Sequence, residues 1–249
     1  MRLTLLAHVA ALAAALALIA SPAAAQLRID LEGGAVWSGY NDVRIPGDTG
    51  TLFSLSEDLE IDPSAFWRAR VEYTFGGRHT LSALAAPLEV EAMGRLGKDV
   101  DFEGTVFPEG TDVVGTYRFD SYRLTYRYEF APRGRFQAGL GFTAKIRDAE
   151  VAVRSEEETA TKTNTGFVPL LNFSLRWSFT DRASFLLRGD ALAAPQGRAE
   201  DVLAAFVYEP RPGIAARIGY RIVEGGADND EVYNFALLNY ATAGLTIEF

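Results

Sequence analysis

The stretch Ala241-Thr242-Ala243-Gly244-Leu245-Thr246-Ile247-Glu248-Phe249 decides the fold. Apolar Ala241, Ala243, Leu245 and Ile247 alternate with small or polar Thr242, Gly244, Thr246 and Glu248. Successive side chains of a strand point to opposite faces, so one face of this segment is greasy and the other is not. That is the pattern of a strand with lipid on one side and water on the other.

The same alternation recurs toward the N-terminus, and no segment sustains a helical period. Leu27, Ile29 and Leu31 oppose Arg28, Asp30 and Glu32. Trp67, Ala69, Val71, Tyr73 and Phe75 oppose Arg68, Arg70, Glu72 and Thr74, and a third strand from Leu81 to Ala85 is disturbed near Pro87. Tyr122, Leu124, Tyr126, Tyr128 and Phe130 oppose Arg123, Thr125, Arg127 and Glu129. Phe136 to Ile146 sets apolar even positions against Gln137, Gly139, Gly141, Thr143, Lys145 and, one step on, Arg147. Phe167, Leu171, Phe173, Leu175 and Trp177 oppose Asn172, Ser174 and Arg176. Phe185 and Leu187 oppose Arg188 and Asp190, Val202 to Tyr208 gives a short eighth strand, and Ile214 to Ile222 opposes Arg217 and Arg221. With the C-terminal segment these make ten strands. Eight result if 184–209 is one irregular hairpin partly outside the membrane, and twelve if extended segments near 51–59 and 99–119 add two.

A single Arg facing lipid at mid-depth costs roughly 2–4 kcal/mol. The face carrying Arg28, Asp30, Glu32, Arg68, Arg70, Glu72, Arg123, Arg127, Glu129, Lys145, Arg147, Arg176, Arg188, Asp190, Arg217 and Arg221 is therefore expected to line the lumen of a closed antiparallel barrel. Connections alternate in length. Gly76-Gly77-Arg78, Ala131-Pro132-Arg133-Gly134, Thr180-Asp181-Arg182 and Pro210-Arg211-Pro212-Gly213 are tight turns. Longer polar loops are expected near 39–63, 92–113, 148–165 and 224–232, with a shorter one near 192–200. Phe75, Phe130, Phe136, Phe179, Phe185, Tyr208 and Phe249 cluster at the short turns, as an aromatic girdle at a membrane interface would.

Arg2, the apolar run Leu12 to Ile19 and the small residues Pro22 to Ala25 have the layout of a secretory signal peptide, so residues 1–25 are expected to be cleaved and 26–249 to form one barrel domain. Short turns then face the periplasm and long loops the exterior. The 249 residues contain no Cys, which excludes thiol chemistry and disulfides. Loss of Arg2 from 24 basic and 33 acidic residues leaves a net charge of −10, which excludes a generally basic nucleic-acid binder.

With Leu245, Ile247 and Phe249 at its end, the C-terminal segment resembles the strand signal of bacterial outer-membrane β-barrels, and the length and loops are similar to the small members of that class. The resemblance implies insertion by the barrel assembly machinery of the outer membrane and contact with its lipid and lipopolysaccharide. Barrel enzymes of that membrane, among them omptin proteases, lipid A deacylases, palmitoyl transferases and phospholipases, resemble one another in needing a histidine at the outer rim or membrane face. Here His8 leaves with the signal peptide and His79 sits at a short turn, where a solvated turn residue is the expectation. Carboxylate pairs such as Asp30 with Glu32, or Glu72 with Glu129, lie among an excess of Arg that keeps them ionised. No catalytic residue, metal ligand or cofactor site is therefore assigned.

The four long loops together carry 20 Asp and Glu against 5 Lys and Arg. Clusters at Glu57, Asp58, Glu60 and Asp62, at Glu156 to Glu158, and at Asp228, Asp230 and Glu231 could attract Ca²⁺ or Mg²⁺. Asp228-Asn229-Asp230 lacks the Gly and distal Glu of a calcium loop, and solvated acidic loops are the expectation. Gly104 to Gly115, with Val106, Phe107, Val113 and Val114, is read either as an exposed hairpin or as an extended loop. The functional expectation is a non-enzymatic barrel with a charged, occluded lumen and acidic surface loops, the alternative a narrow pore for small, anionic solutes.

Overall fold

The computed structural model describes residues 26–195 and 197–249, so the expected signal peptide lies outside the described residues. The strands in order are β1 Gln26–Arg44, β2 Phe53–Ser54, β3 Glu60–Ile61, β4 Ser64–Phe75, β5 His79–Ala86, β6 Glu89–Arg95, β7 Val100–Phe102, β8 Thr105–Phe107, β9 Asp112–Ala131, β10 Phe136–Arg154, β11 Thr159–Ser178, β12 Ala183–Ala194, β13 Gly197–Arg211, β14 Ile214–Asp228 and β15 Tyr233–Glu248.

Ten staves make the wall: β1, β4, the broken stave β5–β6, and β9 to β15. Each pairs antiparallel with its neighbours, and β15 returns to β1 with Leu31 opposite Leu245, which closes the ring. Closure gives the staves hydrogen-bonded neighbours on both sides, as a spanning sheet in an apolar solvent requires. The break at Pro87 falls where the alternation faltered. There the Phe119 amide donates to the Leu88 carbonyl and the Leu88 amide to Asp120 Oδ1 at 3.1 Å. Four short turns join the staves at one end. At the first, Gly76 and Gly77 both have positive φ, 59° and 68°, which a tight hairpin needs and glycine adopts without steric cost.

The outer face carries a belt of exposed apolar side chains, including Leu31, Trp67, Leu124, Leu140, Phe142, Phe167, Leu171, Phe206, Ile218 and Leu245. A contiguous surface of this kind belongs in lipid. On β10 it runs from Phe136 to Ile146, about 25 Å at the rise and tilt of barrel strands.

Beyond Ile146 the structure departs from the sequence reading. Much of what was expected as long loops is strand: 148–154 and 159–165 continue β10 and β11, 39–44 continues β1, and 224–228 continues β14. Polarity suggested loops because outward positions there are Asp, Glu, Thr or Lys. The inward positions keep an alternation of their own, with Val36, Val43, Val113, Tyr117, Val151, Val153, Val223, Leu238 and Tyr240 buried. The walls thus rise above the membrane around a hydrophobic core.

Chain entering from the top completes that core. Ile45, Phe53, Leu55 and Leu59 from the β1–β4 connection pack into it, with Leu96, Val100, Phe102 and Phe107 from the β6–β9 connection. The hairpin foreseen near Gly104 exists but starts earlier, pairing Val100 with Phe107 across a turn at Glu103 and Gly104. It folds inward rather than standing clear. Phe102 and Phe107 are buried, the turn and Val106 are exposed, and the Glu103 amide donates to the Ile45 carbonyl at 2.8 Å. Apolar rings that would be unsupported in water settle this orientation.

Candidate functional site: the lumen charge network

Inside the lipid-spanning part, inward positions of every stave carry polar or charged groups. They assemble around four buried carboxylates. Asp201 on β13 takes Arg68 Nη2 at 2.7 Å, Arg123 Nη2 at 2.6 Å and Arg221 Nη1. Asp190 on β12 takes Arg123 Nη1 at 2.7 Å, the Thr143 hydroxyl at 2.6 Å and Asn172 Nδ2 at 2.7 Å. Glu32 on β1 takes Arg217 Nη2 and Arg221 Nε, each at 2.8 Å. Asp30 completes the set by holding Arg217 at 2.5 and 2.8 Å.

The connectivity matters more than the number of pairs. The β4 and β9 staves that carry Arg68 and Arg123 each stand four places around the ring from Asp201 on β13. Both guanidiniums therefore reach across the lumen, and a water-filled bore at this level has no room. Glycines make room for other lumen side chains. The Arg217 guanidinium lies over Gly244, and Glu129 and Arg127 lie over Gly139, where a Cβ would collide with them.

Arg28, Glu72, Arg127, Glu129, Arg176 and Arg188 sit nearer the turn end. Arg188 Nη1 meets Glu72 at 3.3 Å, Arg28 meets Glu248 at 2.5 Å, and Arg127 Nε meets Glu129 at 2.5 Å. Among the described residues Arg70 bonds the Ser82 hydroxyl at 3.4 Å and no acid, and the Lys145 ammonium lies over the Phe119 ring at 4.5 Å. Arg147 stands above the network at the upper rim and bonds Asn164 rather than an acid. Asp201 was missed in the sequence because it abuts a segment read as loop, beside the inward Leu203, Ala205 and Val207 that form a small apolar patch with Leu186. Polar character alone could not mark β13 as a lumen-facing stave, since both its faces are apolar below Asp201.

Phe75, Phe130, Phe136, Phe179, Phe185, Tyr208 and Phe249 are all exposed on the outer face at the turn end. His79 is more than a solvated turn residue. Its ring stacks on Phe75 with centroids 5.2 Å apart, and Nδ1 lies 2.9 Å from the Tyr126 hydroxyl, so it belongs to the same aromatic row. Leu245 and Ile247 point outward from β15, and the Phe249 amide donates to the Leu27 carbonyl at 2.8 Å.

Just above the belt, an ion cluster decorates the outer wall. Arg118 meets Asp148 at 2.8 Å, Glu150 at 3.1 Å and Asp120 at 3.6 Å. The hydrogen bond from Arg118 holds the Asp148 carboxyl below the usual aspartate range. Among the described residues, His, Asp and Glu are nowhere gathered in threes able to hold a metal ion.

No family model matches the chain, and no curated protein matches it either. Solved structures do. The outer membrane protease OmpT from Escherichia coli aligns with a TM-score of 0.55 and 11% identity, over 90% of this chain and 97% of that one. Ail, the attachment invasion locus protein of Yersinia pestis, aligns with a TM-score of 0.41 and 9% identity over 90% and 99%. A major outer membrane protein from Thermus thermophilus gives 0.41 and 10% over 91% and 100%. The fold is that of a small bacterial outer-membrane β-barrel, here with ten staves.

Proposed function

We propose that the chain is a non-enzymatic outer-membrane barrel, closed to solute flow, whose acidic extracellular extension serves a structural or surface-binding role. The observation that carries this reading is the pair of guanidiniums, Arg68 and Arg123, that cross the lumen to Asp201. Above them a hydrophobic core fills the upper barrel, so a solute entering from either end meets packed side chains. Location in the outer membrane is supported by the apolar belt, the short-turn and tall-wall asymmetry and the shared fold. Leu245, Ile247 and Phe249 are the contact expected for the barrel assembly machinery, and the aromatic row and belt are the contact for lipid and lipopolysaccharide.

Catalysis is absent from this reading because the acids of the lumen are ion-paired and the one described imidazole, His79, sits on the outer face at the short-turn end. The fold is shared with a protease, but a fold does not carry chemistry with it. Planar-bilayer recording tests the proposal: purified protein should insert without steady conductance. Reproducible open channels would overturn it in favour of a narrow pore, and an anion preference in a salt gradient would then identify the Arg-rich lumen as its filter.

A further inference from the structure

Below the crossing guanidiniums the lumen is not filled. A cavity of about 150 Å³ lies at the short-turn end, lined by Gln26, Gly77 and Pro132 near its mouth and by arginines deeper in. Five of these, Arg28, Arg127, Arg176, Arg188 and Arg217, face it against three acids, Asp30, Glu72 and Glu129. A water in the liquid occupies about 30 Å³, so the space holds about five waters or one tetrahedral oxyanion with a water or two.

The guanidinium forks are not equally used. Arg28, Arg188 and Arg217 are committed to carboxylates. Arg127 spends Nε on Glu129, while its Nη1 is buried with no hydrogen-bond partner. Arg176 meets no acid among the described residues, and its one hydrogen bond goes to the Ser184 hydroxyl at a long 3.4 Å. These two arginines flank β10 from either side, and both line the cavity. A buried charged donor without an acceptor is costly, and charge-assisted bonds to an oxyanion are the strongest way to satisfy it.

We propose that this vestibule is a binding site for a small phosphate- or sulfate-type oxyanion entering from the periplasmic end, held between Arg127 and Arg176. That the vestibule ends blind rests on the closed lumen proposed above, but phosphate binding in it is measured separately from conductance. Its occupant is a free ion or the phosphate of a lipid headgroup, since both present the same chemistry at this level.

Isothermal titration of inorganic phosphate into the purified barrel in neutral detergent at low ionic strength should show saturable binding at one site. Arg176→Gln should weaken it about tenfold or more, the effect of losing charge-assisted hydrogen bonds. This arginine is half-buried and has no ion pair to lose, so the variant is expected to fold. Arg147→Gln, at the opposite rim, should leave affinity unchanged. A double variant, Arg127→Gln with Glu129→Gln, should weaken binding without stranding a buried acid. Repeating the titration in phospholipid nanodiscs separates the sources: affinity equal to that in neutral, phosphate-free detergent assigns a free ion, whereas inorganic phosphate excluded in the nanodiscs assigns a headgroup. No saturable heat at millimolar phosphate, or wild-type affinity in Arg176→Gln, would overturn the proposal.

Discussion

Two pairs of neighbours on one strand, Tyr122–Arg123 and Tyr117–Arg118, show what changes along this barrel. Inside the lipid layer Arg123 points into the lumen while Tyr122 faces outward. Above it Tyr117 is buried inside and Arg118 stands on the outer wall among Asp120, Asp148 and Glu150. The strand has not changed its geometry, only the phase of its pattern. β10 does the same, with Lys145 inward below and Val151 and Val153 above, and so does β1, with Asp30 and Glu32 inward below and Val36 and, past a bulge between Ser38 and Tyr40, Val43 inward above. Side chains sort by the solvent on each side of the wall: lipid outside demands charge inside, and water outside demands a greasy interior. The lower half is an inverted barrel and the upper half is packed like a soluble one, and strands such as β9 and β10 run through both.

If that contrast is right, the two halves should fail differently. The largest effect is expected from Asp201→Ala, which strands Arg68, Arg123 and Arg221 in a buried site. Stability should fall by about 3–5 kcal/mol, read as a lower urea midpoint for tryptophan fluorescence in detergent. A loss under about 1 kcal/mol would mean the lumen is wetter than its geometry implies. Leu238→Ala, in the upper core, should cost about 2–5 kcal/mol. Its signature should be regional, with amide exchange accelerating in the upper reaches of β1 and β15 while amides near Asp30 and Glu32 keep their protection. Loss spreading through the lower half would show that the halves unfold as one unit.

The outer wall supplies the next test. Leu140→Arg, at mid-depth in the belt, should cost about 2–4 kcal/mol in a bilayer. An equal charge added above the belt should be tolerated, and equal penalties at both levels would misplace the boundary drawn at Ile146. Smallest is Arg118→Ala, expected to cost at most about 1 kcal/mol because its carboxylate partners Asp148 and Glu150 stand on the outer wall within reach of water and salt. Asp148 adds a pH dependence with a definite sign. Its folded carboxyl is held low by Arg118, so its contribution is present above the ordinary aspartate range and is lost as pH falls through the folded value. Wild type and Arg118→Ala should therefore converge in stability in acid.

The alternation of residues 241–249 and its recurrence were enough to specify strands, an antiparallel ring and the sidedness of the lipid-spanning half, because lipid tolerates no exposed backbone and no unpaired charge. The inward face of most lumen arginines and acids follows from the same alternation, while Asp201, beside a segment that reads as loop, does not. What the sequence left undecided depends on contacts between distant segments. Only the closed ring sets Arg68 and Arg123 across from Asp201, and only the upper walls give Phe102 and Phe107 a core to enter. The acidic outer face of the extension looks like loop from its composition, because the burial that holds those strands together comes from chain far away in sequence. Local pattern records which solvent each face meets; what fills the space between the walls is a property of the packed whole.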